Sequence, residues 1–156
     1  MSDTYYPPVA FSFEVSIATP GNPHGAPVAT IFQEVSGIAT AIDLEEVSEG
    51  GENTFAHRLP APPKHANLVL KRGIAKASSP LFAWVAAAVN GTFATPADPR
   101  TLLVNLVDGS ALPLVSWIFL DAWPVRWEVS SFDATGNDIV TESLELAYTS
   151  VERSVP

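Results

Sequence analysis

The sequence PLVSWIFLDAWPVRW, residues 113–127, holds three of the four tryptophans of a 156-residue chain. From Leu114 to Leu120 residues of both parities are largely apolar, and a strand with two apolar faces is covered on both of them. Pro124 cannot donate to a β-ladder and indicates a bulge, a kink or a strand edge. Beyond it, residues 125–129 alternate apolar with polar, which is typical of a half-solvated strand. A neighbouring copy of the chain could cover the second apolar face of residues 114–120.

Alternation of apolar and polar residues extends this β character over most of the chain, and Asp108-Gly109 is a hairpin signal that leads into the tryptophan-rich segment. Gly37 indicates a bulge or bend, and the prolines from Pro60 to Pro63 are expected to end a short strand. We predict strands over residues 11–17, 31–38 with a continuation through 41–47, 54–59, 67–72, 102–107, 112–120 and 139–151.

One helix is predicted over residues 79–90. Ser79 can cap it, Pro80 suits its first turn, and Gly91 is expected in the left-handed conformation at its end. Two sets of apolar residues lie on opposite sides of this helix: Leu81, Trp84, Val85 and Ala88 on one, and Phe82, Ala86 and Val89 on the other. A helix that is apolar all round is buried all round, so one side is expected on its own sheet and the other on a partner.

Strands dominate and the helix lies in the middle of the chain, which favours a mainly β fold, a small barrel or sandwich with one helix against it. We expect a single domain over residues 1–156. Within it we expect an N-terminal arm over 1–8 and extended loops over 19–30 and 48–53, because these stretches are rich in glycine, proline or polar residues.

The composition excludes several classes of function. A net charge of −9 argues against binding a phosphate backbone, and 47% hydrophobic with only 16% charged residues suggests that a partner covers part of the surface. The chain has no cysteine, hence no disulfide and no thiolate metal site. We see no signal peptide and no apolar run long enough for a membrane span.

No motif indicates catalysis. The three histidines lack zinc spacing, Gly50-Gly51 lacks the lysine of a phosphate loop, and no nucleophile elbow occurs. We therefore assign no catalytic, cofactor-binding or metal-binding residue. Trp123 and Trp127 could form a platform for stacking a sugar, although tryptophan in a strand more often belongs to a core or an interface.

Charge is segregated along the chain. Five acids between Asp43 and Glu52 precede five of the eight basic residues, Arg58, Lys64, Lys71, Arg72 and Lys76. These are either solvated faces of each sign or complementary surfaces for head-to-tail stacking of copies.

Six stretches in order resemble the tail-tube proteins of contractile-tailed phages and of phage-like extracellular contractile injection systems, and the match covers nearly the whole chain. They are FQEVSGI at 32–38, EGGENTFAHRLP at 49–60, NLVLKRG at 67–73, LFAWV at 81–85, WIFLDAWPVRW at 117–127 and NDIVTESLELAY at 137–148.

The resemblance implies two orthogonally packed β-sheets with a flanking helix, an architecture that the type VI secretion tube protein shares. It implies a homo-hexameric ring whose strands join into one continuous β-barrel, and rings that stack into a hollow tube inside a contractile sheath. It further implies sheath, baseplate or hub, and tail-terminator partners, cargo in the lumen and no catalytic residues or cofactors. The implied location is the bacterial cytoplasm during assembly and then a released particle or virion tail.

The loop over 19–30 and the C-terminal residues 149–156 depart from the family pattern. They leave open a main tube protein or a related protein that starts the tube on the baseplate, and a phage tail or an injection system. Two other classes remain as rivals: a β-sandwich module that binds a glycan through Trp123 and Trp127, and a small enzyme.

Three sets of residues are candidates for assembly. The expected subunit interface is Phe82, Ala86, Val89, Trp117 and Phe119. The expected ring-stacking surface is Glu49, Gly50, Gly51, Glu52, Lys71 and Arg72. The expected lumen residues are Glu14 and Glu145, because each lies on the polar parity of a strand and the polar parity of a closed barrel faces the channel.

Overall fold

The computed structural model of the chain describes residues 11–18, 29–47, 50–51, 56–74, 79–91, 98–110, 112–131, 135–136 and 139–155. The expected arm over 1–8 and most of the expected loop over 19–30 lie outside the described residues. In the expected loop over 48–53, only the turn at Gly50-Gly51 is described.

The described residues form a mainly β protein with one helix, as the sequence predicts. The elements in chain order are β1 Phe11–Ile17, β2 Thr30–Phe32, β3 Glu34–Ser36, β4 Thr40–Val47, β5 His57–His65, β6 Leu68–Gly73, α1 Pro80–Asn90, β7 Arg100–Asp108, β8 Pro113–Val129, β9 Thr141–Ala147 and β10 Ser150–Ser154. Eight strands join into one hydrogen-bonded sheet, and β4 with β5 forms a separate two-stranded hairpin.

Strand β8 divides the large sheet into two halves. Its first part, up to Ala122, pairs with β7 on one edge and β10 on the other, whereas its second part, from Trp123, pairs with β9. Asp121, near the end of the first part, has a φ of 52°, and the register of the second part shifts between Pro124 and Arg126. We call β2-β1-β7-β8-β10 the five-stranded half and β8-β9-β6-β3 the four-stranded half. The bulge at Pro124 that the sequence indicates is confirmed, whereas a second cover on the first part of β8 stays a prediction.

Two further segments cross between the halves, and here the sequence prediction is wrong. The single strand predicted over 31–38 is two strands, with β2 paired to β1 and β3 paired to β6. The single strand predicted over 139–151 is β9 in the four-stranded half and β10 in the five-stranded half. Strands that change sheets at a corner are typical of sheets packed across one another, and alternation alone does not reveal where a strand changes partners.

The core lies between the two halves. Val15, Leu102, Val104 and Phe119 come from the five-stranded half, and Leu68, Leu70, Leu144 and Leu146 come from the four-stranded half; all are fully buried. Tyr148 packs edge-on against Phe119 with ring centroids 4.8 Å apart. The two halves therefore share one apolar cluster.

Helix α1 packs on β8 and β1. Ser79 caps it by accepting a hydrogen bond from the Phe82 amide, and Leu81, Trp84 and Val85 are buried as predicted. Ala88 and the side with Ala86 and Val89 are exposed in the single chain.

The left-handed conformation predicted for Gly91 is wrong, since its φ is −65°. The glycine is needed there for space, because a Cβ would approach the Ala87 carbonyl oxygen to 2.9 Å.

The β4–β5 hairpin is exposed along almost its whole length. The expectation that prolines end a strand at Leu59 is wrong, because β5 continues through Pro60, Pro62 and Pro63 to His65. Among the described strands β5 pairs only with β4, and an edge strand tolerates residues without an N–H.

Gly37 fixes the root of the hairpin. Its φ is +84° and a Cβ on it would lie 1.8 Å from the Asn67 carbonyl oxygen, so no other residue fits without a backbone shift. The Tyr148 hydroxyl donates towards the carbonyl oxygens of Gly37 and Ala39, at 3.4 Å and 3.5 Å. The hairpin is therefore attached to the core through a close backbone contact.

Candidate subunit interfaces

The outward face of the five-stranded half carries a row of polar residues, and we call it the polar face. Leu103 and Ile118 in the next row and Ile31 opposite Glu14 are among its apolar members. Cross-strand register places Glu14 opposite Asn105, Asn105 opposite Ser116, and Ser116 opposite Ser154 in one row. The Ser116 hydroxyl donates to the Asn105 side-chain oxygen at 2.7 Å. Glu152 lies in the next row, opposite Ile118. Among its described residues this face carries carboxylates and no lysine or arginine.

The structure does not bring the two expected lumen residues to one surface. Glu14 lies on the polar face, whereas Glu145 lies on the outward face of the four-stranded half, where it accepts a 2.8 Å hydrogen bond from the Asn67 amide. Glu152 shares the face of Glu14 and was missed, because the predicted strand ended at Val151. The alternation of Ser150, Glu152 and Ser154 was the available signal.

Both edges of the five-stranded half are open among the described residues. Strand β2 forms one edge, with Ile31 exposed on it, and β10 forms the other. An unpaired edge presents free N–H and C=O groups to another chain. This half can therefore be extended by copies of itself on both sides.

The three helix residues of the expected subunit interface differ in their exposure. Ala86 and Val89 are exposed and available to a neighbour. Phe82 is half-buried, since its ring stacks on Phe32 at 6.3 Å and the Arg72 guanidinium lies 3.8 Å from its ring centroid.

The two β8 residues of the expected interface also differ. Phe119 is fully buried in the chain's own core, so its side chain is not available to a neighbour, contrary to the expectation from the sequence. Trp117 packs against the same core and stays partly exposed. Parity alone did not reveal which apolar face of β8 the chain covers for itself.

Arg72 is not available for ring stacking either. Its Nε lies 3.2 Å from a Glu142 oxygen, and the two side chains are only 11% and 8% exposed. The other Glu142 oxygen accepts a 2.8 Å hydrogen bond from the Trp127 indole. Lys71, the residue before it, is exposed and pairs with Glu34 at 3.4 Å. Of the remaining stacking candidates, Glu49 and Glu52 lie outside the described residues.

Part of the acid-then-base order of the sequence reflects ion pairs across the hairpin. Glu46 lies directly opposite Arg58 and pairs with it at 3.3 Å, and Asp43 pairs with Lys64. The hairpin thus neutralises part of its own charge. Its turn carries Gly50 and Gly51, the latter with a φ of +112°.

The tryptophans of the second part of β8 do not form a flat platform. Trp123 lies opposite Ala147 and Trp127 opposite Leu144, so the bulge after Pro124 places them on opposite faces of the sheet. A sugar ring stacks on aromatic faces that share one surface. The glycan-binding alternative is therefore not favoured.

Nothing in the described ranges suggests a bound metal, as no three His, Asp or Glu residues there lie close enough to share one. In the same part of the chain no helix has the length and apolar character for crossing a membrane.

The architecture places the chain in the class of tail-tube and Hcp-like folds. A protein of the anti-feeding prophage (AFP) baseplate structure is 26% identical, with a TM-score of 0.73 over 97% of this chain and 98% of that one. A protein of the PVC sheath–tube complex, from an extracellular contractile injection system in the extended state, is 23% identical, with a TM-score of 0.75 over 98% and 95% of the two chains. Hcp1 from Salmonella typhimurium shares the fold at 16% identity, with a TM-score of 0.53 over 94% and 87%.

The family model of the T4-like virus tail tube protein gp19 matches residues 9–152, and the chain belongs to this family. No curated protein matches the sequence. The chain is a structural tube subunit, as the sequence resemblance implied.

Proposed function

We propose that the chain acts as a single domain and forms a homo-hexameric ring in which the five-stranded halves of six copies join edge to edge. The observation that carries this proposal is the polar face on a sheet whose two edges are open among the described residues. Strand β2 of one copy would meet β10 of the next. The ring would then have a polar inner wall and an apolar shared core behind it.

Rings of this kind would stack into a hollow tube that conducts cargo. The neighbours from a sheath–tube complex and from a baseplate support a contractile sheath and a baseplate as partners of this chain, with a terminator closing the far end. The role is mechanical and not enzymatic: sheath contraction drives the tube through a target envelope. Assembly would take place in the bacterial cytoplasm, and the tube would leave in a phage-like particle.

Electron microscopy of the purified protein in negative stain tests the proposal, with rings or tubes as the expected result. Long tubes fit a main tube subunit, and single rings that do not grow fit a tube-initiating protein. A homogeneous monomer at high concentration would contradict the proposed ring.

An edge variant tests the joining of the five-stranded halves. Ile31→Asp on β2 should reduce ring formation, because Ile31 lies opposite Glu14 and a second carboxylate at this edge adds like-charge repulsion where β10 of the next copy, with Glu152, would approach. Ile139→Asp is the matched control, since Ile139 is also exposed and lies outside the five-stranded half. Rings of Ile31→Asp equal in number to wild type would exclude β2 from the contact.

A further inference from the structure

Three long strand edges are unpaired within the described part of the chain, all away from the polar face. The outer edge of β5 is interrupted by Pro60, Pro62 and Pro63, which leaves two. One is the edge of β8 from Trp123 to Val129 that faces away from β9. The other is the edge of β4 that faces away from β5. The remaining outer strands, β2, β3 and β10, have three, three and five residues.

The free edge of β8 is apolar enough to require a cover. Trp123, Val125 and Trp127 are 39%, 49% and 45% exposed there. Trp127 lies on the core side of the sheet, where it extends the core cluster towards the edge. A long, exposed and apolar edge strand is a template for pairing with another chain.

The β4–β5 hairpin also lacks a cover, because no apolar layer of the described chain packs on its apolar face. Ile42 and Leu44 lie on one face of β4 and are 58% and 59% exposed. A two-stranded ribbon alone is marginally stable in water. On its β5 side, Pro60, Pro62 and Pro63 lack an N–H, so β4 offers the edge that can pair without interruption.

We propose that β4 of one copy pairs antiparallel with the second part of β8 of a neighbouring copy. The hairpin then becomes two further strands of the neighbour's four-stranded half. The two segments have eight and seven residues, so neither leaves a long unpaired end. The inference rests on the proposed function only in that copies of the chain must meet in a ring or tube.

The side chains favour one register. With Ile42 opposite Trp127, the apolar face of β4 continues the core side of the four-stranded half, and Asp43 falls beside Arg126. Ala41 then falls beside Glu128, which avoids two carboxylates in direct opposition. The Arg126 side chain is 62% exposed, and among the described residues it forms an ion pair only with Glu128, two residues along the same strand, at 2.6 Å.

Disulfide formation between copies tests this pairing. Native cysteines cannot form competing cross-links, because the chain has none. The variant Asp43→Cys/Arg126→Cys is assembled, oxidised and run on a non-reducing gel. We expect a ladder of covalent multimers, since directly opposed strand residues lie within disulfide reach.

The control is Leu59→Cys/Arg126→Cys. Leu59 lies opposite Glu45 on β5 and shares the hairpin face of Asp43, but it is one strand farther away. Two interstrand spacings put its Cα at roughly 10 Å from Arg126, beyond disulfide reach. We expect this variant to stay largely monomeric on the gel.

Rings in the microscope with no more cross-linking in the Asp43/Arg126 variant than in the control would overturn the pairing and leave the proposed function intact. Equal ladders from Asp43→Cys alone or Arg126→Cys alone would also overturn it, because they would indicate like strands meeting. Absence of rings from the wild-type protein would instead contradict the proposed function.

Discussion

Arg72 and Glu142 form the one strongly buried ion pair among the described residues. The pair joins β6 to β9, the Trp127 indole attaches β8 to the same carboxylate, and the Arg72 guanidinium lies over the Phe82 ring of the helix. Four elements therefore meet at two charged groups. A buried pair of this kind adds little net stability over an apolar one, but losing one partner leaves the other charge uncompensated.

Glu142→Leu should therefore lower the free energy of unfolding by about 3–5 kcal/mol, because it leaves the buried Arg72 guanidinium without a counter-charge. The double variant Arg72→Met/Glu142→Leu should recover most of that loss. Urea denaturation of dissociated subunits measures both. If the double variant loses as much unfolding free energy as Arg72→Met and Glu142→Leu lose together, the two residues do not act as a unit.

Tyr148 provides a pH-dependent test of the hairpin root. Burial raises the pKa of its hydroxyl above the usual 10.0, because desolvation disfavours the phenolate. Since the folded state holds the proton more tightly, the stabilising contribution is complete below pH 10 and is lost as the pH rises above it.

Tyr148→Phe should remove this part of the decline, so its stability should fall less than that of wild type between pH 9 and about pH 11. Denaturation midpoints across that interval measure the difference. Parallel curves for the two proteins would contradict the assignment.

Substitutions on the two sides of helix α1 should have different effects, one on the stability of the subunit and the other on assembly. Phe82 packs against both Phe32 and Arg72 within the chain, whereas Val89 is 44% exposed. Phe82→Ala should destabilise the subunit itself by about 3 kcal/mol, since it removes the ring that packs against Phe32 and Arg72.

Val89→Asp should leave the stability of the isolated subunit within about 0.5 kcal/mol of wild type, and should reduce ring or tube formation if a neighbour covers this side. Thermal melts of the monomer and particle counts by microscopy separate the two effects. Unchanged tubes with Val89→Asp would show that this side of the helix stays solvent-exposed in the assembly.

How far the sequence predicts these elements depends on what each one contacts. The helix, β1, β7 and the core side of β9 follow from periodicity, because their partners lie within the chain. The sequence does not predict that the chain passes from one half of the sheet to the other after Phe32 and after Ala147, because a strand that changes partners keeps its alternation. Arg72 could not be placed either, because nothing in NLVLKR distinguishes a surface arginine from one that meets Glu142 seventy residues later.

The proposed bore is a property of the whole assembly. The polar face contributes Glu14 and Glu152 from each subunit, and sixfold repetition would turn each into a ring of negative charge. Such a wall should repel DNA and acidic cargo.

Tubes of Glu14→Lys/Glu152→Lys should retain a short single-stranded DNA at low salt and release it as salt rises, because counterion release weakens binding to phosphates. Wild-type tubes should not retain it. Glu145→Lys is the control, since Glu145 lies on the other half of the sheet. Retention by the control equal to that of the double variant would place the polar face outside the lumen.

Strand β8 has a mechanical consequence for a tube that is driven as a rod. It is a single backbone of 17 residues that belongs to both halves of the sheet, and the chain crosses between the halves at two further corners. Load on one half therefore reaches the other through peptide bonds and not only through side-chain packing. We expect the wall of the rod and the layer outside it to resist shear together, so that under tension a subunit yields by unzipping hydrogen bonds before its two layers slide apart.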